Sequence, residues 1–507
     1  MARLQKINSP DLYFWRELII TTMLPYATLI HIDKGVKAPV FIQISNSLAE
    51  HIRKGTIPAG AQLPGTRALA EVLGVHRQTV VAAYDELLAQ GWIETQAAKG
   101  TFVSQKLPEI KVQGFNPSSN PAANPRVKAG FSFYADPSLS KPVLRGSNSL
   151  AFDDGFPDVR LAPWDALNRA YRTALQQGYR KNLFFYGDTL GELSLRTQMT
   201  KYLRETRGLP IELDNVLITR GSTMAIYLTA QLLVQAQDVV VVGKISYGSA
   251  NLIFQRRGAK LLQVPVDEHG IDVQAIEQLC QEQAVRLVYV TPHHHYPTTV
   301  TMPAERRLRL LQLAQQYNFC ILEDDYDYDF HYNSNPILPL AGADTGGHVV
   351  YVGSLCKAFS PSLRIGYVAA PSEVIENLAR LRRILDRQGD NLLEAATATL
   401  FRDGEMKRHL KKAQKTYQQR RNLFCEMLKQ ELGSIVEFKK PMGGMAVWAQ
   451  FDPEFPLRKI REKLQQKGLY IPDASNYTPD LNVTRLGFAS ANEEEMERGM
   501  HIFKSCL

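Results

Sequence analysis

The sequence predicts an α/β protein in two parts: a small N-terminal winged helix-turn-helix and a large domain built on a mostly parallel sheet. Three observations carry this expectation. At 507 residues the chain exceeds what one ordinary core organises. A stretch over 105–149 carries Pro108, Pro117, Pro121, Pro125, Pro137 and Pro142 among Asn, Ser and Ala, and reads as a semi-rigid linker. Beyond it, short apolar runs alternate with amphipathic helical stretches, the pattern of βα units feeding a parallel sheet. The expected order is an N-terminal extension (1–37), the small domain (38–104), the linker (105–149) and the large domain (150–507). Largely extended, a linker of about 40 residues spans on the order of 100 Å.

Composition narrows the function classes. Hydrophobic residues at 45% and charged residues at 22% argue against general disorder. A formal charge of +8 permits a polyanionic partner without requiring one. Cys280, Cys320, Cys356, Cys425 and Cys506 are scattered and form no CxxC pair, which points away from a disulfide framework and towards a reducing, cytoplasmic compartment. The run from Leu18 to Ile32 is interrupted by Pro25 and too mixed to cross a membrane. Within it, Ala27–Ile32 reads as β-like.

In the small domain, Phe41, Ile44, Leu48 and Ile52 repeat at helical spacing. A turn-rich connector leads to a short helix that Thr66 can cap and Gly74 ends. A second helix runs from about Arg77 to Gln90 on Val80, Tyr84, Leu87 and Leu88. Two helices across a tight glycine turn make a helix-turn-helix. The free N-terminal face of the second presents Arg77, Gln78 and Thr79 to a major groove. Trp92–Thr95 and Thr101–Val103 alternate as two strands. Their Ala97-Ala-Lys-Gly100 connection forms a wing with Lys99 near phosphate.

In the large domain, five apolar runs read as buried strands: 216–219, 239–242, 287–290, 320–322 and 349–352. Ligands of such sheets bind beyond the strands' carboxyl ends. Lys357 follows one end, with Ser354 three residues before it and Arg364 seven after. A pocketed lysine forms an imine with an aldehyde, and a hydroxyl with a guanidinium suits phosphate. Glu323-Asp-Asp-Tyr326 places acids and a phenol at a second end, where Asp324 and Tyr326 suit a pyridine nitrogen and a ring oxygen. A solvated acidic loop or a divalent-cation site is the other reading there. At a third end, Gly221, Ser222 and Thr223 open a helix whose N–H groups favour phosphate. Tyr247, at a fourth, can stack on a ring. Across His293-His-His295, strand geometry would put His293 and His295 on one face. No second Cys/His pair accompanies them, so no metal is expected.

The N-terminal part resembles the winged helix domain of the GntR superfamily through Ala38-Pro-Val-Phe-Ile-Gln-Ile44, Gly60-Ala-Gln-Leu-Pro-Gly-Thr-Arg67, Gly74-Val-His-Arg-Gln-Thr-Val80 and Lys99-Gly-Thr-Phe-Val103. The resemblance implies that Arg67 and Thr79 hold phosphates and that Arg77 and Gln78 help read bases, with Lys99 and Gly100 in the wing. His76 stands where the family often has Ser. Residues 150–507 resemble fold type I aminotransferases, with a large α/β/α domain and a small C-terminal α+β subdomain. The whole chain resembles the MocR/GabR-type branch of GntR regulators. Gly155-Phe-Pro-Asp158, Tyr186-Gly-Asp-Thr-Leu-Gly191, Thr291-Pro-His-His-His-Tyr-Pro297 and Thr484-Arg-Leu-Gly-Phe-Ala489 support this.

That resemblance implies pyridoxal 5'-phosphate held on Lys357 as an aldimine. It pairs Asp324 with the pyridine nitrogen and Tyr326 with the ring oxygen. It gathers Ser222, Thr223, Ser354 and Arg364 into a phosphate cup and places His294 near the cofactor. Tyr186 would reach in from a partner subunit, and Arg485 would grip an effector carboxylate. A head-to-tail, domain-swapped homodimer, a double-stranded DNA operator and an amine or amino acid effector (or pyridoxal phosphate alone) follow as expectations. An active aminotransferase carrying a DNA-binding arm, with Lys357 also moving the proton, is the alternative. The sequence departs from the family at His295, which replaces Gln, and at Pro297-Thr-Thr299, which replaces Pro-Thr-Gly. Ser249 lacks the basic side chain of the 4-aminobutyrate-sensing member, so that effector does not carry over.

Overall fold

A computed structural model describes residues 24–107, 129–139 and 150–507, apart from 34, 37, 135, 137, 138, 333–336, 474–476 and 478–480. Most of the expected linker lies outside the described residues. The chain divides into two compact units, 1–139 and 140–507.

The first unit begins with a short helix, α1 (Tyr26–Leu29), where the sequence suggested a strand. Pro25 precedes it, with a ring that presets φ for a helix start. Tyr26 and Ile30 are buried in this unit's core. Helix α2 (Val40–Arg53) buries Ile44, Leu48 and Ile52, four residues apart on one face. Helix α3 (Thr66–Leu73) starts after Gly65, and Thr66 is its first residue rather than its cap. It ends at Gly74, whose left-handed φ of 62° is open to glycine at little cost. Helix α4 (Arg77–Ala89) is capped by His76, whose Nδ1 accepts from the Gln78 N–H at 3.3 Å. His76 thereby takes the capping role of a Ser. Strands β1 (Ile93–Gln96) and β2 (Gly100–Val103) pair antiparallel and form the wing.

The second unit is organised by a seven-stranded sheet. Its strands are β3 (Val216–Thr219), β4 (Val239–Gly243), β5 (Lys260–Val264), β6 (Leu287–Val290), β7 (Cys320–Asp325), β8 (Val349–Ser354) and β9 (Gly366–Ala369), in the order β3-β9-β8-β7-β6-β4-β5. β9 alone runs against the direction of the other six. Side chains alternate between the faces. Val216 and Ile218 enter one apolar layer and Leu217 the other, so both faces are covered. A smaller antiparallel sheet of β10 (Val436–Phe438), β11 (Ala446–Phe451) and β12 (Val483–Gly487) shares a core with the long helix at Glu405–Leu432. Among the described residues, no helix is long and apolar enough to cross a membrane.

Because six strands of the large sheet share one direction, β3, β7 and β8 all end at the same edge. That edge receives Ser222, Asp324 and Lys357 from three distant parts of the sequence.

Leu48 is fully buried in the core of the first unit. Leu48→Ala is expected to destabilise that unit by about 3 kcal/mol, as a deleted core side chain leaves a cavity. Chemical denaturation followed by circular dichroism checks this.

Candidate functional site

A cavity of about 200 Å3 lies at the carboxyl edge of the sheet, and Lys357, Asp324, Tyr326, Ser222, Thr223, Ser354, Arg364 and Tyr247 all line it. The sequence separates these residues by up to 142 positions, and the parallel topology brings them together. Lys357 sits on a one-turn helix (Leu355–Ala358) directly after β8. Its Nζ donates to the Gly155 carbonyl at 2.6 Å and lies 4.2 Å from the Phe156 ring centroid. Burial pushes its amine below the ordinary lysine range, against the opposing pull of Asp154.

Asp324 is almost wholly buried near the end of β7. Its Oδ2 accepts from the Tyr289 hydroxyl at 2.8 Å, while Oδ1 has no hydrogen-bond partner among the described residues. Burial pushes this carboxyl up to about 7, against the lowering effect of Tyr289. An orphaned acceptor of this kind fits a protonated ring nitrogen. The Tyr326 hydroxyl donates to the His294 carbonyl at 3.0 Å. Asp325 and Asp327 are buried too, so the acidic run is not a solvated loop.

The third group suits phosphate. Helix α5 (Ser222–Leu233) begins after Gly221 with no side chain capping its N–H groups. Gly221 has φ +80°, and a Cβ there would come within 2.9 Å of the Arg364 guanidinium. Arg364 itself takes the left-handed region, at φ 51°, and donates from Nη2 to the Arg220 carbonyl at 2.7 Å. Ser354 caps the lysine's helix by accepting from the Cys356 N–H. A bare helix N-terminus, the hydroxyls of Ser222, Thr223 and Ser354, and a guanidinium on one cavity fit a bound phosphate. The residues present therefore fit pyridoxal phosphate at its aldehyde, ring and phosphate positions.

His294 and Arg485 lie outside the cavity lining, as does Tyr186, which was expected from a partner subunit. His294 does not line the cavity. Its Nδ1 lies 2.8 Å from Asp327 Oδ1, and the ring stacks on His331 with centroids 5.8 Å apart. The carboxylate of Asp327 draws the ring inward, leaving only the His294 carbonyl at the site. His293–His295 form a loop rather than a strand, so the expected face alternation fails. Ligand atoms of His293, His294 and His331 gather within 4.8 Å, while the His295 Nδ1 bonds Thr298 Oγ1 instead. Tyr186 is 78% exposed, carries the Arg387 guanidinium over its ring, and does not line this chain's cavity. Arg485 is fully buried beside the pocket but already paired, its Nε lying 2.9 Å from Asp154 Oδ1.

Asp154, Phe156, Tyr289, Thr291 and Tyr296 also line the cavity and were not singled out from sequence. Tyr289 was hidden in an apolar strand. Asp154 stood beside the quoted Gly155-Phe-Pro-Asp158, where position was the available signal.

On the first unit, Arg67, Arg77, Gln78, Lys99 and Gly100 are exposed and Thr79 is half-buried. Arg77 Nε donates weakly to Thr66 Oγ1 at 3.5 Å, linking the starts of α3 and α4. At the wing, Ala98 has φ +60° and Gly100 φ +118°, and Gln62 Nε2 donates to the Lys99 carbonyl at 2.9 Å.

Comparison with known proteins agrees with both units. Residues 150–503 match the aminotransferase class I and II family, and residues 42–103 match the bacterial regulatory proteins of the gntR family. The chain is 27% identical over 482 residues to the probable rhizopine catabolism regulatory protein MocR of Rhizobium meliloti, covering 94% of this chain and 96% of that one. It is 27% identical over 470 residues to the transcriptional regulator TauR of Rhodobacter capsulatus, covering 90% and 94%. Among solved structures, an archaeal alanine:glyoxylate aminotransferase superposes with a TM-score of 0.67 at 27% identity, over 71% of this chain and 91% of that one. The chain belongs to the aminotransferase class I and II family. Joined to its gntR-family DNA-binding domain, it is a transcription regulator of the MocR type.

The raised carboxyl of Asp324 yields a pH test. Its folded value, about 7, lies above the ordinary 3.8, so the folded state holds the proton more tightly. Its stabilising contribution is present at low pH and is lost as pH rises between those values. In cofactor-stripped protein, Asp324→Asn should gain stability relative to wild type across that window, by on the order of 4 kcal/mol. Denaturant midpoints measured at pH about 4 and about 8 check this. A pH-independent difference would reject the assignment.

Proposed function

We propose that the large domain holds pyridoxal phosphate on Lys357 and converts the binding of a small amine into a change in DNA affinity. The observation that carries this is one cavity containing a desolvated lysine, an orphaned buried carboxylate and an uncapped helix N-terminus beside a guanidinium. When bound, pyridoxal phosphate supplies an aldehyde that condenses with amines and a ring that withdraws electrons.

The residues divide the work of holding it. Burial keeps a larger share of Lys357 as the neutral amine, the nucleophilic form. Asp324 would accept from the protonated ring nitrogen, and Tyr326 would donate to the ring oxygen. Ser222, Thr223, Ser354 and Arg364 would hold the phosphate, and Tyr247 would lie against the ring. Tyr186, exposed on this chain, would complete the site from a partner in a head-to-tail homodimer.

On DNA, Arg77 and Gln78 would contact base edges while Arg67, Thr79, Lys99 and Gly100 fix the backbone. The setting is cytoplasmic, where DNA and reduced thiols coexist. Regulation requires only that the ligand bind one arrangement of the protein more tightly than another. Full transamination would require, in addition, that Lys357 move a proton on the bound amine over many turnovers.

Lys357→Ala should abolish the visible absorption that pyridoxal phosphate gives the wild-type protein, while far-ultraviolet circular dichroism stays unchanged. Persistence of the band would reject Lys357 as the attachment point. Arg77→Ala should reduce discrimination between operator variants by about 1–3 kcal/mol. Unchanged relative affinities in fluorescence-anisotropy titrations would exclude base reading by this side chain.

A further inference from the structure

Asp154 lines the same cavity as Lys357 and holds three partners. Its Oδ1 lies 2.9 Å from Arg485 Nε and accepts from the Tyr477 hydroxyl at 3.0 Å. Its Oδ2 accepts from the Tyr296 hydroxyl at 2.8 Å. Arg485 is 1% exposed, donates from Nη1 to the Pro297 carbonyl at 2.9 Å, and lies 4.8 Å from the Tyr296 ring centroid. A buried guanidinium needs an anion, and here the protein supplies its own. The Asp154 side chain is 29% exposed against 1% for Arg485, so the face turned to the cavity is the carboxylate.

The charge pattern of the cavity follows from this. Among its described lining residues, the cationic side chains are Lys357 and Arg364, and Arg364 stands at the uncapped start of α5. The acidic ones are Asp154 and Asp324. A ligand that turns its amine to Lys357 and bears a carboxylate on the same carbon brings that carboxylate against Asp154. Otherwise it must strip Asp154 from Arg485, Tyr296 and Tyr477 together, leaving a displaced carboxylate in a partly desolvated site. A ligand without the carboxylate incurs neither penalty. A second ammonium group could also pair with the open edge of Asp154.

We propose that Asp154 is a selectivity residue, filling the anion position at Arg485 and directing the pocket to primary amines that lack an α-carboxylate. This rests on the reading that Lys357 holds pyridoxal phosphate. It replaces the expectation that Arg485 receives an effector's carboxylate.

The test uses the full chain loaded with pyridoxal phosphate. Borohydride reduction followed by peptide mapping first shows whether Lys357 carries the cofactor. Its absence there overturns the site assignment and this proposal with it. With Lys357 loaded, isothermal titration calorimetry compares ligands that differ only by the carboxylate: tyramine against L-tyrosine, and cadaverine against L-lysine. In at least one pair the wild type should bind the amine at least roughly tenfold more tightly than the amino acid. Asp154→Asn should cut that preference by about tenfold, chiefly by gaining affinity for the amino acid. Tyr477→Phe, which keeps the carboxylate but removes one group holding it, should shift the preference the same way by less. If both amino acids match or exceed their amines on wild-type protein loaded at Lys357, the proposal fails while the cofactor site stands. It fails equally if folded, loaded Asp154→Asn keeps the wild-type preference. Should that variant not fold, the wild-type comparison and Tyr477→Phe decide the matter.

Discussion

Desolvation without full pairing is the condition on which the large domain's site depends. A lysine and an aspartate are both drawn out of water at one sheet edge, yet neither neutralises the other. Lys357 rests on a carbonyl and an aromatic face, and Asp324 keeps one oxygen without a hydrogen bond among the described residues. Such groups are costly in a finished core, where buried polar atoms are nearly always satisfied. The sheet imposes the arrangement: parallel strands end together, and helix N-termini follow them at once. Apolar layers cover both faces of the strands that carry these polar groups at their ends.

The loop after β6 shows how a departure from the family pattern is accommodated. Thr299 stands where a glycine is usual and adopts φ +64°, a region strained for a β-branched residue. The backbone closes on itself around it: the Thr299 N–H donates to the His295 carbonyl and the His295 N–H to the Val300 carbonyl, both at 2.7 Å. His295 Nδ1 adds a bond to Thr298 Oγ1. This tight closure fixes Tyr296 and the Pro297 carbonyl, the two groups that hold Asp154 and Arg485 from this side. With His295 and Thr299 in place, the loop is closed by its own hydrogen bonds, and its contacts serve the Asp154–Arg485 pair.

How much of this was legible in the sequence follows the range of each interaction. Helical spacing located α2 and α4, and continuous apolar runs located every strand that contributes a residue beside Lys357, because both signals are local. The strand-end rule then pointed to Lys357, Asp324 and Ser222, which the structure brings onto one cavity. Local reasoning failed where distant partners decide. Ala27–Ile32 looked like a strand until Pro25 and packing of Tyr26 made a helix of its first part. His294 was expected beside the cofactor, but Asp327, 33 residues on, draws its ring away. Asp154 gave no local sign of its three partners, which lie 142, 323 and 331 residues distant along the chain.

The Asp154–Arg485 pair also bears on whether such a domain senses or turns over. An aminotransferase acting on amino and keto acids must hold a carboxylate in both half-reactions, with the same grip each time. A guanidinium already bound to a side chain of its own chain offers that grip only after rearrangement, and two phenols oppose the rearrangement. On the proposal that Asp154 fills the anion position at Arg485, the pocket would favour a single binding event with an amine over exchange between amino and keto acids. Binding is all that regulation requires, since a ligand shifts a conformational equilibrium by its difference in affinity for the two states. On that reading, a paired Arg485 beside an open lysine, an orphaned carboxylate and a bare helix N-terminus would separate amine recognition from amino acid chemistry.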